Sequence, residues 1–167
     1  MKAVVTGAKG FIGKNLVVAL RRAQVDVAEI DVDSPSDALF AGARGANVVF
    51  HLAGVNRPEQ EGEFLTGNVG PLNALCAALD ELSAADRPAA RPSIVLSSST
   101  QANHANPYGG SKLAAERALE AYASRTGTPA TIYRLPGVFG KWCRPDYNSV
   151  VATFCHNIAR GLPIAIS

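Results

Sequence analysis

The run TGAKGFIG from Thr6 to Gly13 constrains the fold more than any other part of the chain. Val4 and Val5 stand ahead of it as an apolar pair, and behind it Ile12, Leu16, Ala19 and Leu20 recur at helical spacing. Strand, glycine turn and helix in that order open a β-α-β unit. Gly7 suits a tight turn, Gly10 lets backbone approach a pyrophosphate, and Gly13 lets the helix pack closely; the first amides of that helix, at Phe11 and Ile12, offer positive potential to phosphate. The glycines fall three apart, which departs from the GxGxxG form of the dinucleotide fingerprint.

The remaining pattern repeats the unit. Val25, Val27 and Ile30 alternate in a second strand ending at Asp31 and Asp33, and a weak helix follows Pro35. NVVFHLAG from Asn47 is continuous in the manner of a buried parallel strand. Leu65, Val69, Leu72, Leu75, Cys76, Leu79 and Leu82 keep a helical stripe, and an Ala-, Pro- and Arg-rich linker runs from Ala84 to Pro92. SIVLSSS from Ser93 predicts a fourth strand, Tyr108 to Arg125 a helix, and ATIYRL from Ala130 a fifth strand. Val151, Phe154, Ile158 and Leu162 share one face of a last helix, and Gly161 to Ser167 reads as a turn and the start of another strand. The fold class is α/β, a Rossmann-like doubly wound parallel sheet. One NAD(P)-binding domain is expected over residues 1–167, ending before the last strand and the C-terminal substrate lobe.

Composition narrows the function classes. With 167 residues, 47% hydrophobic and 18% charged, the chain reads as one globular domain with a core of its own. A net charge of +2 without any Lys or Arg run argues against a nucleic-acid partner. Cys76, Cys143 and Cys155 are odd in number and lack zinc spacing, so neither a disulfide framework nor a metal site is expected, and the reading is a reducing cytoplasm. No signal peptide or membrane span is read.

Chemistry enters with YGGSK from Tyr108 to Lys112, nine residues after Ser99. A tyrosine and a lysine four apart on a helix share a face, so the ammonium can depress the phenol and make it a proton donor or acceptor near neutral pH. A serine hydroxyl nearby can hold the same carbonyl or alcohol oxygen. Ser99 is the candidate and Ser98 the runner-up. At the nucleotide end, Asp31 follows the glycine turn by about 20 residues, where a carboxylate binds an adenosine ribose and favours NAD. Lys9, inside the turn and assisted by Lys14, would reach a 2′-phosphate and favour NADP, or else is a solvated loop charge.

GAKGFIG at Gly7, HLAG at His51, LSSS at Leu96, YGGSK at Tyr108 and YRLPGVFG at Tyr133 occur in the order of the extended short-chain dehydrogenase/reductase family, which the chain resembles throughout. HLAGVNRP from His51 and the stretch from Phe139 to Ile164 resemble the CapF (WbjC) type of reductase within it. The resemblance implies NADPH-dependent reduction of a 4-keto UDP-6-deoxy-amino-sugar in a UDP-N-acetyl-L-fucosamine pathway serving capsule or O-antigen. It also implies a homodimer of the full-length protein and a separate zinc-bearing cupin domain, which these 167 residues do not include. NADP(H) is the favoured cofactor, with NAD(H) also admitted.

By the same resemblance Ser99, Tyr108 and Lys112 are catalytic. Gly7, Lys9, Gly10, Phe11, Ile12, Gly13, Asp31, Leu52, Ala53, Gly54, Asn68, Tyr108 and Lys112 fall to the cofactor, and Ser99, His104, Arg144 and Asn148 to the substrate. His104, near Tyr108 in sequence, reads first as an ordinary surface loop residue and second as a substrate contact, and Arg144 either meets a diphosphate or sits in a plain loop. His51 reads as a packed, hydrogen-bonded histidine, and Trp142 as a stacking platform or a packing residue. Two departures from the family stand out: Gly137 occupies the place of a usual Asn, and the segment between Ser99 and Tyr108 is short. Thr100 and Gln101 replace the Asp-Glu pair of dehydratases, which opposes dehydration. An epimerase, or a dinucleotide-binding module without activity, are the alternatives.

Overall fold

Alternate residues of a strand face opposite sides of a sheet, and the paired valines near the N-terminus exploit both. In a computed structural model, which describes residues 1–82 and 91–166, strand β1 (Lys2–Thr6) sends Val4 into one apolar cluster and Val5 into another. Val49 and Phe50 of β3 (Val48–His51) divide the same way. Both strands are therefore buried on two faces, which explains their unbroken apolar runs.

The chain divides into two units, Met1–Leu135 and Pro136–Ser167. The first is a five-stranded parallel sheet in the order β2-β1-β3-β4-β5, with β2 at Asp26–Ile30, β4 at Ser93–Ser99 and β5 at Ala130–Leu135. The chain leaves β1 for β2 on one side and returns to β3 on the other, so a topological switch point opens between the carboxyl ends of β1 and β3. Ligands of open α/β sheets bind at such a crevice.

Helix α1 (Phe11–Arg22) covers one face through Val17, Leu16 and Leu20. The other face takes α2 (Ala38–Ala43), α3 (Glu63–Glu81) and α4 (Pro107–Thr126), whose Leu72, Leu75, Leu79, Ala115 and Leu119 meet Val4, Val49, Ile94 and Leu96. Each Leu in that set is at most 2% exposed, and burying such a side chain contributes roughly 1.5–3 kcal/mol. This doubly wound architecture is the predicted one.

Several boundaries shift for local reasons. β2 starts at Asp26 rather than Val25, because Gln24 takes φ +57° and the Val25 amide bonds back to Leu20. α4 begins one residue earlier than predicted, at Pro107, since Asn106 caps it by accepting the Gly109 N–H at 2.7 Å; Gly127, at φ +71°, ends it. Of the predicted linker Ala84–Pro92, the part through Ala90 lies outside the described residues.

In the second unit, α5 spans Val150–Ile158, capped by the Ser149 hydroxyl. Leu162, predicted on its face, lies beyond it: the backbone turns at Gly161 (φ +65°) and the Leu162 amide bonds to the Asn157 carbonyl at 2.9 Å. The strand expected after Gly161 is not formed over residues 163–166.

Candidate active site

The switch-point cleft holds about 540 Å³, and Thr6, Gly7, Asp31, Ala53 and Gly54 are among the residues lining it. Gly7 turns the chain out of β1 at φ +68°, and a Cβ there would stand 2.8 Å from the Ala53 nitrogen. At Gly13 a Cβ would collide with the Gly7 carbonyl oxygen and lie 2.8 Å from Ala8 Cα. The turn and the start of α1 thus approach more closely than any side chain allows. Gly10 is the N-cap of α1, and no side chain caps that end, so the first-turn amides that include Phe11 and Ile12 are available to an anion. A pyrophosphate fits this cradle.

Asp31 lies at the cleft edge with its carboxylate oriented by backbone: Oδ2 accepts the Lys9 N–H at 2.7 Å and Oδ1 the Val32 N–H at 2.9 Å. The Lys9 ammonium does not stand open for a 2′-phosphate. It is paired with Asp33, a residue the sequence placed only at the strand end, and the two side chains are 63% and 61% exposed. That pair raises the lysine pKa, chiefly through the hydrogen bond to Asp33.

Asn68, expected against the cofactor, has its amide committed elsewhere. Nδ2 donates to the Val55 and Phe64 carbonyls and to Ser111 Oγ at 2.8, 2.9 and 3.1 Å, and Oδ1 accepts the Val55 N–H at 3.2 Å. The residue braces the Leu52–Val55 segment against α3 and α4, and a Cβ on Gly54 would meet its Oδ1 at 2.5 Å. Ser111, which sequence reasoning missed, passes the link on to the Tyr108 carbonyl at 2.7 Å.

Ser99 and Tyr108 come together at the carboxyl end of β4. The Ser99 hydroxyl accepts the Gln101 N–H at 3.2 Å, opening a 3-10 turn over Thr100–Asn103, and stands beside the Tyr108 phenol. Burial raises the phenol's pKa, and the Ser99 side chain works in the opposite direction. The expected depression of the phenol by Lys112 is not found, because the ammonium is held elsewhere. It donates to the Ser97 carbonyl at 3.0 Å, and burial lowers its pKa to about 8, opposed by Glu116. Lys112 borders the cleft nonetheless, since a Cβ on Gly54 would lie 3.4 Å from its Nζ. Phe64 flanks the phenol, with ring centroids 5.9 Å apart.

Ser98, the alternative serine, is excluded by its partner: it donates to the buried Glu116 carboxylate. His51 is packed as expected, but only half satisfied. Its Nδ1 shares a hydrogen with Thr6 Oγ1 at 2.9 Å, while Nε2 finds no partner among the described residues. Burial, with Lys112 adding to it, lowers its pKa to about 4, so the ring is neutral near pH 7.

His104 is exposed beside an open depression lined by Asn106, Pro107 and Gly110. Arg144 and Asn148 fall in the second unit, where both are exposed and the Arg144 guanidinium lies 5.3 Å from the Tyr147 ring centroid. Trp142 is 41% exposed with the Lys141 ammonium 4.5 Å from its ring. Among the described residues no group of three or more His, Cys, Asp or Glu could hold a metal, and no helix is long and apolar enough to cross a membrane.

Residues 3–167 match the model of the NAD dependent epimerase/dehydratase family. The chain belongs to that family. A similar member is the UDP-2-acetamido-2,6-beta-L-arabino-hexul-4-ose reductase of Pseudomonas aeruginosa, 46% identical over all of this chain and 44% of the relative. The capsular polysaccharide assembling protein CapF of Staphylococcus aureus is similar in structure, with a TM-score of 0.84, 41% identity, and coverage of 100% of this chain and 43% of that one. MoeE5, solved with UDP-glucuronic acid and NAD, gives a TM-score of 0.77 at 27% identity, covering 98% of this chain and 63% of MoeE5. The chain thus spans less than half the length of the first two relatives. Its place in the epimerase/dehydratase family accounts for the glycine cradle and for a nicotinamide nucleotide as the cofactor class.

Proposed function

We propose that the protein is a reductase of a 4-keto UDP-6-deoxy-amino-sugar, with Ser99, Tyr108 and Lys112 as its reacting set. The observation that carries this reading is the placement of Ser99 beside the Tyr108 phenol, with the Lys112 ammonium at the Gly54 border of the glycine-cradle cleft. The 46% identity to a reductase of such a keto-sugar nucleotide supports the substrate class.

A nicotinamide nucleotide, when bound, supplies the hydride. The cradle of Gly7, Gly10 and Gly13, with the amides at Phe11 and Ile12, would hold its pyrophosphate, Asp31 would bind a ribose, and Leu52, Ala53 and Gly54 would line the same cleft. Tyr108 is protonated near neutral pH, as an ordinary phenol is, and burial holds it so, leaving it a proton to give to the carbonyl oxygen as an alcohol forms. Ser99 orients that oxygen and stabilises the phenolate left behind, since a hydroxyl donating to the phenolate favours the charged form. Lys112, charged below about pH 8, contributes positive potential at the same end of the cleft.

NADP(H) is the proposed form of the cofactor, on the likeness to the CapF type of reductase and on Lys9 exchanging Asp33 for a 2′-phosphate; Asp31 opposes it, and NAD(H) is the alternative. Arg144 and Asn148 are proposed for the UDP-sugar, His104 for the sugar side, and a cytoplasmic homodimer for the full-length protein in a UDP-N-acetyl-L-fucosamine pathway. The test is Tyr108→Phe. Reduction of the keto-sugar should fall by about 10²–10⁴ while dinucleotide affinity stays near that of the parent. Equal turnover by both proteins would remove Tyr108 from the chemistry.

A further inference from the structure

Glu116 sits one helical turn beyond Lys112 on α4 and is 3% exposed, yet it carries a carboxylate that no predicted role uses. Three donors converge on it. Ser98 of β4 donates through its hydroxyl, and Arg134 of β5 donates from Nε at 2.9 and 3.2 Å and from Nη2 at 2.6 Å. Ser98 and Arg134 are register partners on adjacent strands, so their side chains emerge on the same face, toward α4. The remaining guanidinium nitrogen, Nη1, donates to Asn103 Oδ1 at 2.6 Å. Asn103 closes the 3-10 turn that Ser99 opens.

Ser98 precedes Ser99 and Asn103 ends the turn after it, so both flanks of Ser99 are tied to a single point on the helix that carries Tyr108 and Lys112. An Arg fork on a carboxylate fixes direction as well as distance. The arrangement also has a charge consequence. The charged or titratable groups whose fields reach Lys112 are Glu116 on its own helix and His51 on β3; Ser97 of β4 faces it with a carbonyl and Gly54 with backbone. Glu116 is the anion in that set.

We propose that Glu116, clamped by Ser98 and Arg134, is a positioning residue that registers the strand end bearing Ser99 against the helix bearing Tyr108 and Lys112 and keeps Lys112 charged in its desolvated niche. The inference rests on the reading of those three residues as the reacting set, and it is tested first without turnover. Lysine labelled at Cε reports the Lys112 titration by NMR, with Lys112→Arg assigning the signal. Glu116→Gln should move the Lys112 midpoint down by about half a pH unit or more, whereas Glu116→Asp, which keeps the charge, should leave it within about 0.3. A midpoint unmoved in Glu116→Gln overturns the electrostatic part.

Turnover tests the registration. Glu116→Asp withdraws the carboxylate by one methylene, and Arg134→Lys removes the fork while keeping both charges. Each should lower kcat about tenfold with dinucleotide affinity within about twofold, a split that a general loss of folded protein does not produce. Parental kcat in both variants overturns the positioning role, and these two suffice if Glu116→Gln does not fold. If the parent itself fails to reduce any keto-sugar nucleotide, the proposed function fails while the Lys112 titration still judges the Glu116 assignment.

Discussion

At the scale of single residues, His51 shows how a strand position turns into a pH dependence. Its ring is 1% exposed, bonded through one nitrogen among the described residues, and holds a pKa near 4 against 6.5 for an ordinary histidine. Below pH 6.5 the unfolded chain takes up a proton that the folded protein refuses, so stability falls as pH drops from about 6.5 to 4, and the contribution is fully lost below 4. Urea unfolding at pH 7 and pH 4.5 should show the parent losing about 2–3 kcal/mol more than His51→Asn does. Parallel losses in the two proteins would mean that the ring titrates as a solvated one. Whereas a buried histidine was legible in HLAG, the orphaned Nε2 was not, because its surroundings come from other strands and from α4.

Among the secondary-structure elements, the contact between the glycine turn and α1 governs the nucleotide end. In Gly13→Ala the added Cβ meets backbone at Gly7 and Ala8, so the helix must slide away from β1. Overpacking of this kind costs about 1–3 kcal/mol. The same displacement withdraws the first-turn amides, and dinucleotide affinity should fall about tenfold, a weakening of roughly 1.4 kcal/mol. Calorimetric titration checks it; unchanged affinity in a folded Gly13→Ala protein would separate the cradle from the helix packing. Gly110→Ala is the contrast. It lies inside α4, exposed, with nothing within 4 Å of an added Cβ, and should raise stability by roughly 0.5–1 kcal/mol in denaturant unfolding. Both glycines look alike as letters, and only the packing distinguishes them.

For the molecule as a whole, the residues proposed to hold the dinucleotide all belong to the Met1–Leu135 unit, so its binding should appear as stability of that unit. A ligand at 100 times its Kd adds about 2.7 kcal/mol to the folded state. If Lys9 answers a 2′-phosphate, NADPH should raise Tm more than NADH at low salt. The advantage should shrink as salt rises, because Lys9 and Asp33 are exposed and salt screens exposed charges. A larger shift with NADH at both salts would show that Asp31, fixed by the Lys9 and Val32 amides, decides the cofactor.

The amino-acid sequence by itself determined the order of strands and helices and the glycine turn that opens α1, and it singled out Ser99, Tyr108 and Lys112 as candidates. Those are matters of periodicity and local spacing: SIVLSSS and ATIYRL became β4 and β5 with the predicted ends, since their residue patterns carry the signal within the segment. Tertiary structure decided which polar groups are spent on one another. Asn68 became a brace, Lys9 found Asp33, Lys112 turned to the Ser97 carbonyl, and Glu116 gathered two strands. The physical reason is common to both: helical and strand periodicity is written in neighbouring residues, whereas a hydrogen bond or ion pair between distant residues exists only once the chain has brought its two halves together.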